Sequence, residues 1–422
     1  MAYMKDRSGR RLDNFRAVNA DTASPARVMY RNPANRAGSG WTTPAQTNLD
    51  AASTPDFTGD AFFGDRCTRI VSGGGGQHVY ALRTGNPAVF DGSDCFVRLT
   101  LKVMNYNFTL ISVIVANSSA TLAGTASLGF VAGTGGSGAN VIPVGEWVTI
   151  DIPQSKFSGN PNWANLQFFR VGVTDSGGPA DVRIHSLDLV KRDPFNTNPN
   201  GMVVISADDS HPSQYTTLLP ALKARGWKAT LHPIPGAHGT TGFLTDAQVL
   251  EMAAAGWDIG AHCYDTSSHA LGLQNLTSAQ RLAEFKACVA WQKSLGLPQS
   301  PSHAWPLGTH SSAADADVAL FWSASRLATS IDNTIYETTT PARPFSLAAL
   351  NITSGTSAIT TAAGLAHAQK GVLYLMTHSF LTSGGDANTV TPTALTAALD
   401  AIAASGCEVV TMAEALRRSG LN

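Results

Sequence analysis

Met202-Val203-Val204-Ile205-Ser206-Ala207-Asp208-Asp209 decides the fold of the half of the chain around it. Met202 to Ser206 shows no polar alternation, the mark of a strand buried on both faces, and such strands belong to parallel sheets covered by helices. The two carboxylates stand at its C-terminal end, where β/α domains place their functional groups. Downstream, strand and helix patterns take turns. Residues 214–225 predict a helix stopped by Gly226, and 228–234 the next strand. Thr245 caps a helix over 245–255 that ends at Gly256 and leads to a strand over 258–262. A long helix over 278–295 follows, then strands near 302–305, 327–331 and 371–376, a helix over 392–404 and a strand over 408–412. The alternation predicts an α/β domain, a distorted (β/α) barrel of roughly seven strands.

Upstream, residues 192–200 hold Pro194, Pro199 and three Asn, a linker in composition. Before the linker the character changes. Short runs rich in β-branched and aromatic side chains, at 96–103, 109–116, 147–152, 168–173 and 182–189, are separated by Gly-rich turns such as 73–76 and 133–138. That spacing is the pattern of an all-β sandwich. Residues 1–50, rich in Asn, Arg, Ala, Pro and Thr without a period, read as an extended arm. A chain of 422 residues exceeds one hydrophobic core. The expectation is therefore a multidomain protein: arm (1–50), all-β domain (51–191), linker (192–200) and α/β domain (201–422).

Composition narrows the partners. With 29 Lys plus Arg against 30 Asp plus Glu and only 14% charged residues, no polyelectrolyte is favoured, so nucleic acid is not expected. No run approaches the ~20 apolar residues of a membrane helix. Residues 1–16 contain Lys5, Arg7, Arg10 and Arg11 but no apolar core of a secretory signal, so no signal peptide is expected. Cys67, Cys95, Cys263, Cys288 and Cys407 form no CxxC pair and read as free thiols, with Cys67 and Cys95 the one pair that could bridge.

The unusual side chains gather at predicted strand ends. Asp208-Asp209, His262, Pro306-Leu307-Gly308 and Thr377-His378 each follow a strand. A carboxylate with two imidazoles suits a divalent cation such as Zn²⁺ and leaves positions open for water and substrate. A neighbouring carboxylate could take the proton from that water, and a histidine opposite could protonate the leaving amine.

These positions resemble the motifs of the polysaccharide deacetylase family of carbohydrate esterases. Ser206-Ala207-Asp208-Asp209 stands where that family has Thr-Phe-Asp-Asp, which implies Asp208 as general base and Asp209 as metal ligand. Ile259-Gly260-Ala261-His262 fits the second motif, whose next histidine comes four positions on; here it is His269, seven positions on. Residues seven apart on a straight helix lie ~10 Å apart, so shared ligation by His262 and His269 requires the stretch to fold back as a lengthened loop. Asp265 is the substitute ligand. Ala304-Trp305-Pro306-Leu307-Gly308 matches the turn of Arg-Pro-Pro-Tyr-Gly but lacks the Arg that orients the base. It implies the Leu307 N–H as oxyanion donor, with Trp305, Pro306, His211 and Tyr264 against the substrate. Met376-Thr377-His378 matches Leu-x-His and implies His378 as general acid, with Asp332 standing in for the family's tuning carboxylate.

The resemblance implies a Zn²⁺-dependent hydrolase removing N-acetyl, or O-acetyl, groups from an acetylated polysaccharide or peptidoglycan. Residues 146–153, Asn162-Trp163 and 184–190 resemble the last strands of jelly-roll carbohydrate-binding modules, which implies a glycan-binding or oligomer-forming jelly roll. Trp147 and Trp163 could stack on sugar rings, or anchor the core. Lys5 to Asp13 resembles the start of phage tail-associated proteins. That implies a virion-borne enzyme with tail-protein partners; a cytoplasmic enzyme is the alternative location, and a glycan-binding tail protein on an inactive deacetylase scaffold the alternative function. His303 and His310 read as solvent-facing loop histidines, and Cys263 as a small buried neighbour.

Overall fold

The computed structural model describes residues 28–30, 41–62, 65–83, 90–93, 95–118, 124–128, 144–191, 200–328, 337, 341, 343–419 and 421. These form two compact units that divide between residues 191 and 200. Most of the expected arm, the linker, the 133–138 turn and Asp332 lie outside the described residues.

The first unit is built of strands, with two short 3-10 turns at Gln154–Lys156 and Trp163–Asn165: β1 (Val28–Tyr30), β2 (Trp41–Thr42), β3 (Thr54–Phe57), β4 (Cys67–Val71), β5 (His78–Arg83), β6 (Cys95–Val103), β7 (Phe108–Ala116), β8 (Gly124–Leu128), β9 (Trp147–Ile152), β10 (Ser158–Gly159), β11 (Phe168–Asp175) and β12 (Asp181–Lys191). They make two six-stranded sheets, one ordered β3-β4-β12-β6-β9 with β1 also on β12, the other β10-β8-β7-β11-β5-β2. The pairings between these strands are antiparallel, and central ones join strands far apart in sequence, β11 with β7 and β12 with β6. Val97, Leu99, Leu101 and Val103 on β6, and Ile111, Val113 and Val115 on β7, are fully buried at every second position. All five cysteines are free. Trp147 is half-buried beside Phe62 and His185, and Trp163 meets Phe157 edge-on at 5.2 Å.

The second unit alternates as expected. Strand β13 (Met202–Asp208) lies between β14 (Thr230–His232) and, beyond the intervening helices, β19; the series runs β15 (Asp258–Ile259), β16 (Ser302–Ala304), β17 (Ala324–Arg326), β18 (Ala349–Asn351), β19 (Val372–Thr377), β20 (Ser379–Phe380), β21 (Thr389–Val390) and β22 (Glu408–Val410). The helices are α1 (Leu219–Lys223), entered through a π-helical turn at Gln214–Leu218, then α2 (Asp246–Ala254), α3 (Thr266–Leu271), α4 (Ser278–Ser294), α5 (Ser312–Val318), α6 (Thr356–Gln369), α7 (Pro392–Ala404) and α8 (Met412–Arg418). Capping boxes start two of them, Thr245 with Gln248 on α2 and Thr277 with Gln280 on α4.

The main sheet is parallel and open, ordered β15-β14-β13-β19-β18, with β22 also on β13. Strands β16 and β17 form a separate parallel pair, linked by single bridges Ala261↔His303 and Arg326↔Leu347. Period-two packing is clear on β13 and β19: Val203, Ile205, Leu373 and Leu375 join the helices in one core, while Met202, Val204, Tyr374 and Met376 join a second with Met412 and Leu416. Each such side chain contributes about 1.5–3 kcal/mol by leaving water. The described fifth strand runs from 324 to 326, ahead of the expected 327–331, and β18 and α6 lie in a stretch where no element was expected. The short β18 has too few residues to show a period, and α6, rich in Ala and Thr, has a weak apolar stripe.

Candidate functional site

Register builds the site. On β13, Asp208 pairs with His232 of β14 while Ala207 pairs with Thr377 of β19, so the strand ends bring Asp208, Asp209, His232 and His378 to one edge. Gln214 ties two of these ends together, its amide donating to the carbonyls of Asp208 and, at 2.9 Å, His378. The chain then turns through two left-handed residues, Asp209 (φ 70°) and Ser210 (φ 60°). Such a conformation costs about 1–2 kcal/mol per non-glycine residue. The buried Ser210 opposes this cost: its carbonyl accepts from Leu244 N–H (2.8 Å), and its hydroxyl accepts from Ile234 N–H (3.1 Å) and bonds His238 Nε2 (2.9 Å).

The Asp209 carboxylate faces three imidazoles. Its Oδ1 lies 3.3 Å from His262 Nε2 and 3.1 Å from His269 Nε2, and its Oδ2 3.6 Å from His378 Nε2. Asp209, His262 and His269 are a candidate metal-binding cluster, their donor atoms all within 4.8 Å of one another. Two observations fit a cation there. Asp209 Oδ1 is buried yet receives no aligned hydrogen bond. His262 donates from Nδ1 to Ala304 O at 2.7 Å, which leaves the Nε2 lone pair pointing at the cluster, the usual orientation of a ligating histidine. Donors on a shared ion at ~2 Å each stand ~3–4 Å apart, and the two separations from Asp209 Oδ1, 3.3 and 3.1 Å, fall in that range.

His269 reaches the cluster by the folded-back route. His262 follows β15 and the Ala261 bridge, residues 263–265 loop out, and α3 returns the chain, its first turn capped by Asp265 accepting from Ser267 N–H at 2.9 Å. The His262 and His269 rings then sit 5.1 Å apart. Asp265 is spent on that cap. Burial opposes charge on both partners, yet Asp209 is held well below its ordinary pKa by His262 and His269, and His269 is raised by Asp209.

Asp208 occupies a different environment. It is 2% exposed, and its carboxylate is ion-paired to the guanidinium of Arg326, itself fully buried at the end of β17. Arg326 also donates from Nε to Ser206 Oγ at 2.9 Å and from Nη1 to Leu327 O at 3.1 Å. Burial would raise the Asp208 pKa, but Arg326 and the adjacent His232 outweigh it and keep the acid ionised. The arginine absent from the Ala304 turn thus comes from the next strand, where Ala304 pairs with Arg326. Its place after Ser325 in a short run carried no motif, so residue patterns alone had no means to find it.

Leu307 adopts a left-handed conformation (φ 59°) at the exposed tip of the Trp305–Gly308 turn. Pro306 and Trp305 are buried, and the indole donates to Phe345 O at 2.8 Å, so Trp305 packs under the turn and presents no free face. Tyr264 and His211 are half-buried. His303 corrects the expectation of a solvent-facing histidine: it is fully buried, bonding His262 O through Nε2 (2.9 Å) and Ser325 Oγ through Nδ1 (2.7 Å). His310, partly buried, pairs with Asp315 at 3.0 Å. Cys263 is buried, its thiol pKa pushed well up by that burial, an inert neighbour. His378 Nδ1 is buried without a hydrogen-bond partner among the described residues.

Residues 195–320 match the family model for polysaccharide deacetylase. Over 82 residues, 19% of this chain, the sequence is 37% identical to YxkH of Bacillus subtilis (strain 168), a provisionally named polysaccharide deacetylase, and the matched part spans 28% of that relative. The family match begins at the linker and takes in Asp208, Asp209, His262, His269 and the Trp305–Gly308 turn, and with the relative it supports a hydrolase of amide or ester bonds. Similar solved structures include the Xyl-CE4 domain of a multidomain xylanase from the hindgut metagenome of Trinervitermes trinervoides (16% identity, TM-score 0.38, covering 53% of this chain and 93% of that one). A family 4 acetyl xylan esterase from Clostridium thermocellum is also similar (19% identity, TM-score 0.36, covering 52% and 93%).

Proposed function

We propose that the chain is a metal-dependent deacetylase that removes acetyl groups, by amide or ester hydrolysis, from a polysaccharide or peptidoglycan. The observation that carries the reading is the meeting of Asp209, His262 and His269 next to an Asp208 kept ionised by Arg326. Asp209, His262 and His269 would hold a divalent cation, with Zn²⁺ the best match to this donor set, and when bound it would supply Lewis-acid polarisation of the acetyl carbonyl and lower the pKa of water there. Asp208 takes the proton from the attacking water; its ion pair with Arg326 fixes the carboxylate in one orientation. The Leu307 N–H, carried on an exposed left-handed turn, donates to the developing oxyanion. His378, across Asp209 from the histidine pair, gives its proton to the departing amine or alcohol. Tyr264 and His211 line the approach, while Pro306 shapes the turn.

The supporting domain division is a β domain that takes in β1 and β2 from the expected arm and runs to 191, a linker over 192–200 and a catalytic barrel over 201–422. The single bridges from β15 to β16 and from β17 to β18 support a distorted barrel. The two antiparallel sheets support a jelly-roll reading of the first unit; glycan binding there is a separate proposal that rests on the resemblance of residues 146–153 and 184–190. Placement on a phage tail rests on Lys5 to Asp13 alone, and immunogold labelling or proteomics of purified virions tests it.

The decisive experiment is acetate release from acetylated chitooligosaccharides, peptidoglycan and acetylated polysaccharide, with metal content measured in parallel and Asp209→Asn as control. Acetate from one substrate class, lost on Asp209→Asn together with the metal, is expected. Bound metal with no acetate from any substrate would sink the enzyme reading and leave a glycan-binding protein.

A further inference from the structure

The stretch between His262 and His269 converges on one side chain outside it. Glu284 of α4 accepts through Oε2 from the N–H groups of Tyr264 (2.8 Å) and Asp265 (3.0 Å), and through Oε1 from the Ser268 hydroxyl (2.8 Å). The Tyr264 carbonyl is held from the other side by Gly236 N–H at 2.9 Å. Position 236 admits only glycine, because a Cβ there would lie 2.7 Å from that carbonyl. His269 N–H in turn donates to Asp265 O at 3.0 Å.

The platform that holds Glu284 is rigid. Helix α4 starts at a complete capping box, buries Phe285 and Cys288, and anchors the buried Arg281 on Asp317 at 2.8 Å. By contrast, α3 has six residues, too few to be stable alone. Two successive peptide N–H groups and a helix hydroxyl bonded to one carboxylate fix the direction in which α3 leaves the loop. That direction decides whether His269 faces Asp209.

We infer that Glu284 is the positioning residue that lets histidines seven positions apart share one cation; the inference rests on the metal-centre reading above. Glu284 is not one of the three clustered donors. It acts through His269.

The test uses the full chain and Co²⁺ alone as probe, with affinity from chelator competition and amide exchange followed at residues 264–269. Glu284→Ala keeps a strong helix former in α4 and removes all three bonds. It is expected to weaken Co²⁺ binding by about 10–100-fold, the usual effect of losing a group that orients a ligand, and to speed exchange at Tyr264 and Asp265. Glu284→Gln, which still accepts from both N–H groups and can donate to Ser268, is expected to stay within about threefold of the parent by the same measure. In a His269→Ala background, Glu284→Ala is expected to change nothing further. Parent-like Co²⁺ affinity in Glu284→Ala, or an undiminished loss on top of His269→Ala, overturns the inference. Should Glu284→Ala not fold, Ser268→Ala decides: a smaller loss with faster exchange supports the clamp, and parent-like affinity and exchange overturn it. If the parent binds no Co²⁺, or Asp209→Asn leaves binding intact, the metal reading itself falls and takes this inference with it. Intact, Asp209-dependent binding with an unaffected Glu284→Ala removes Glu284 alone.

Discussion

Arg326 and Asp208 stand 118 residues apart in sequence and share a buried ion pair. Removing one partner strands the other's charge away from water, at a cost of about 3–5 kcal/mol. Arg326→Met is therefore expected to lower urea-unfolding stability by that amount and to abolish acetate release. Adding Asp208→Asn is expected to restore most of the stability and none of the activity. A single variant as stable as the parent would show that the pair is not coupled. His232, beside them, is pushed down to about 4 by burial and by Arg326, against the opposing pull of Asp208. Between pH 6.5 and 4 the unfolded chain takes up a proton that the folded chain refuses, so this contribution to stability is complete above 6.5 and lost as pH falls. Denaturant titrations are expected to show a loss of stability across that window that His232→Asn reduces by up to roughly 3 kcal/mol in total. His303, also depressed by burial, keeps part of the loss. An unchanged loss would mean His232 titrates normally in the folded chain.

The turn at 305–308 and the loop at 262–269 show what elements add to residues. Gly308 has φ 66°, and a Cβ on it would lie 2.4 Å from Ala328 Cβ. Gly308→Ala is thus expected to destabilise by about 1–3 kcal/mol through strain and overlap. Because the same shift displaces the Leu307 N–H, kcat is expected to fall at least tenfold, by roughly 1.4 kcal/mol of lost transition-state stabilisation, with Co²⁺ affinity kept. An undisturbed kcat would remove Leu307 from the oxyanion site. The helix at 246–254 was legible because Thr245 caps its start and Gly256 ends it, and the structure completes capping boxes there and on the helix at 278–294. The strand 349–351 and helix 356–369 were not, since a three-residue strand has no period and a helix of Ala and Thr lacks a sharp apolar stripe. For the His262–His269 loop, spacing left two outcomes open, and the clamp on Glu284 selects one.

At the scale of the whole molecule, each unit has its own sheets, and the second has two apolar cores built on opposite faces of β13 and β19. Residues 200–422 produced alone are expected to unfold cooperatively and to bind Co²⁺ with the affinity of the full chain. Loss of cooperativity in calorimetry would show that the first unit is needed for folding. Among the described residues no helix is long and apolar enough to cross a membrane. By itself the sequence determined the alternation of strand and helix, the all-β character of the first half and the strand-end places of Asp208, Asp209, His262 and His378, because periodicity, caps and turns depend on near neighbours in the chain. Only the tertiary structure decided that His269 turns back to Asp209, that Trp305 and His303 are buried, and that Arg326 supplies the charge missing from the Ala304 turn. Those outcomes depend on register between strands and on a carboxylate borrowed from a distant helix. Pairings across such separations leave no local pattern to read.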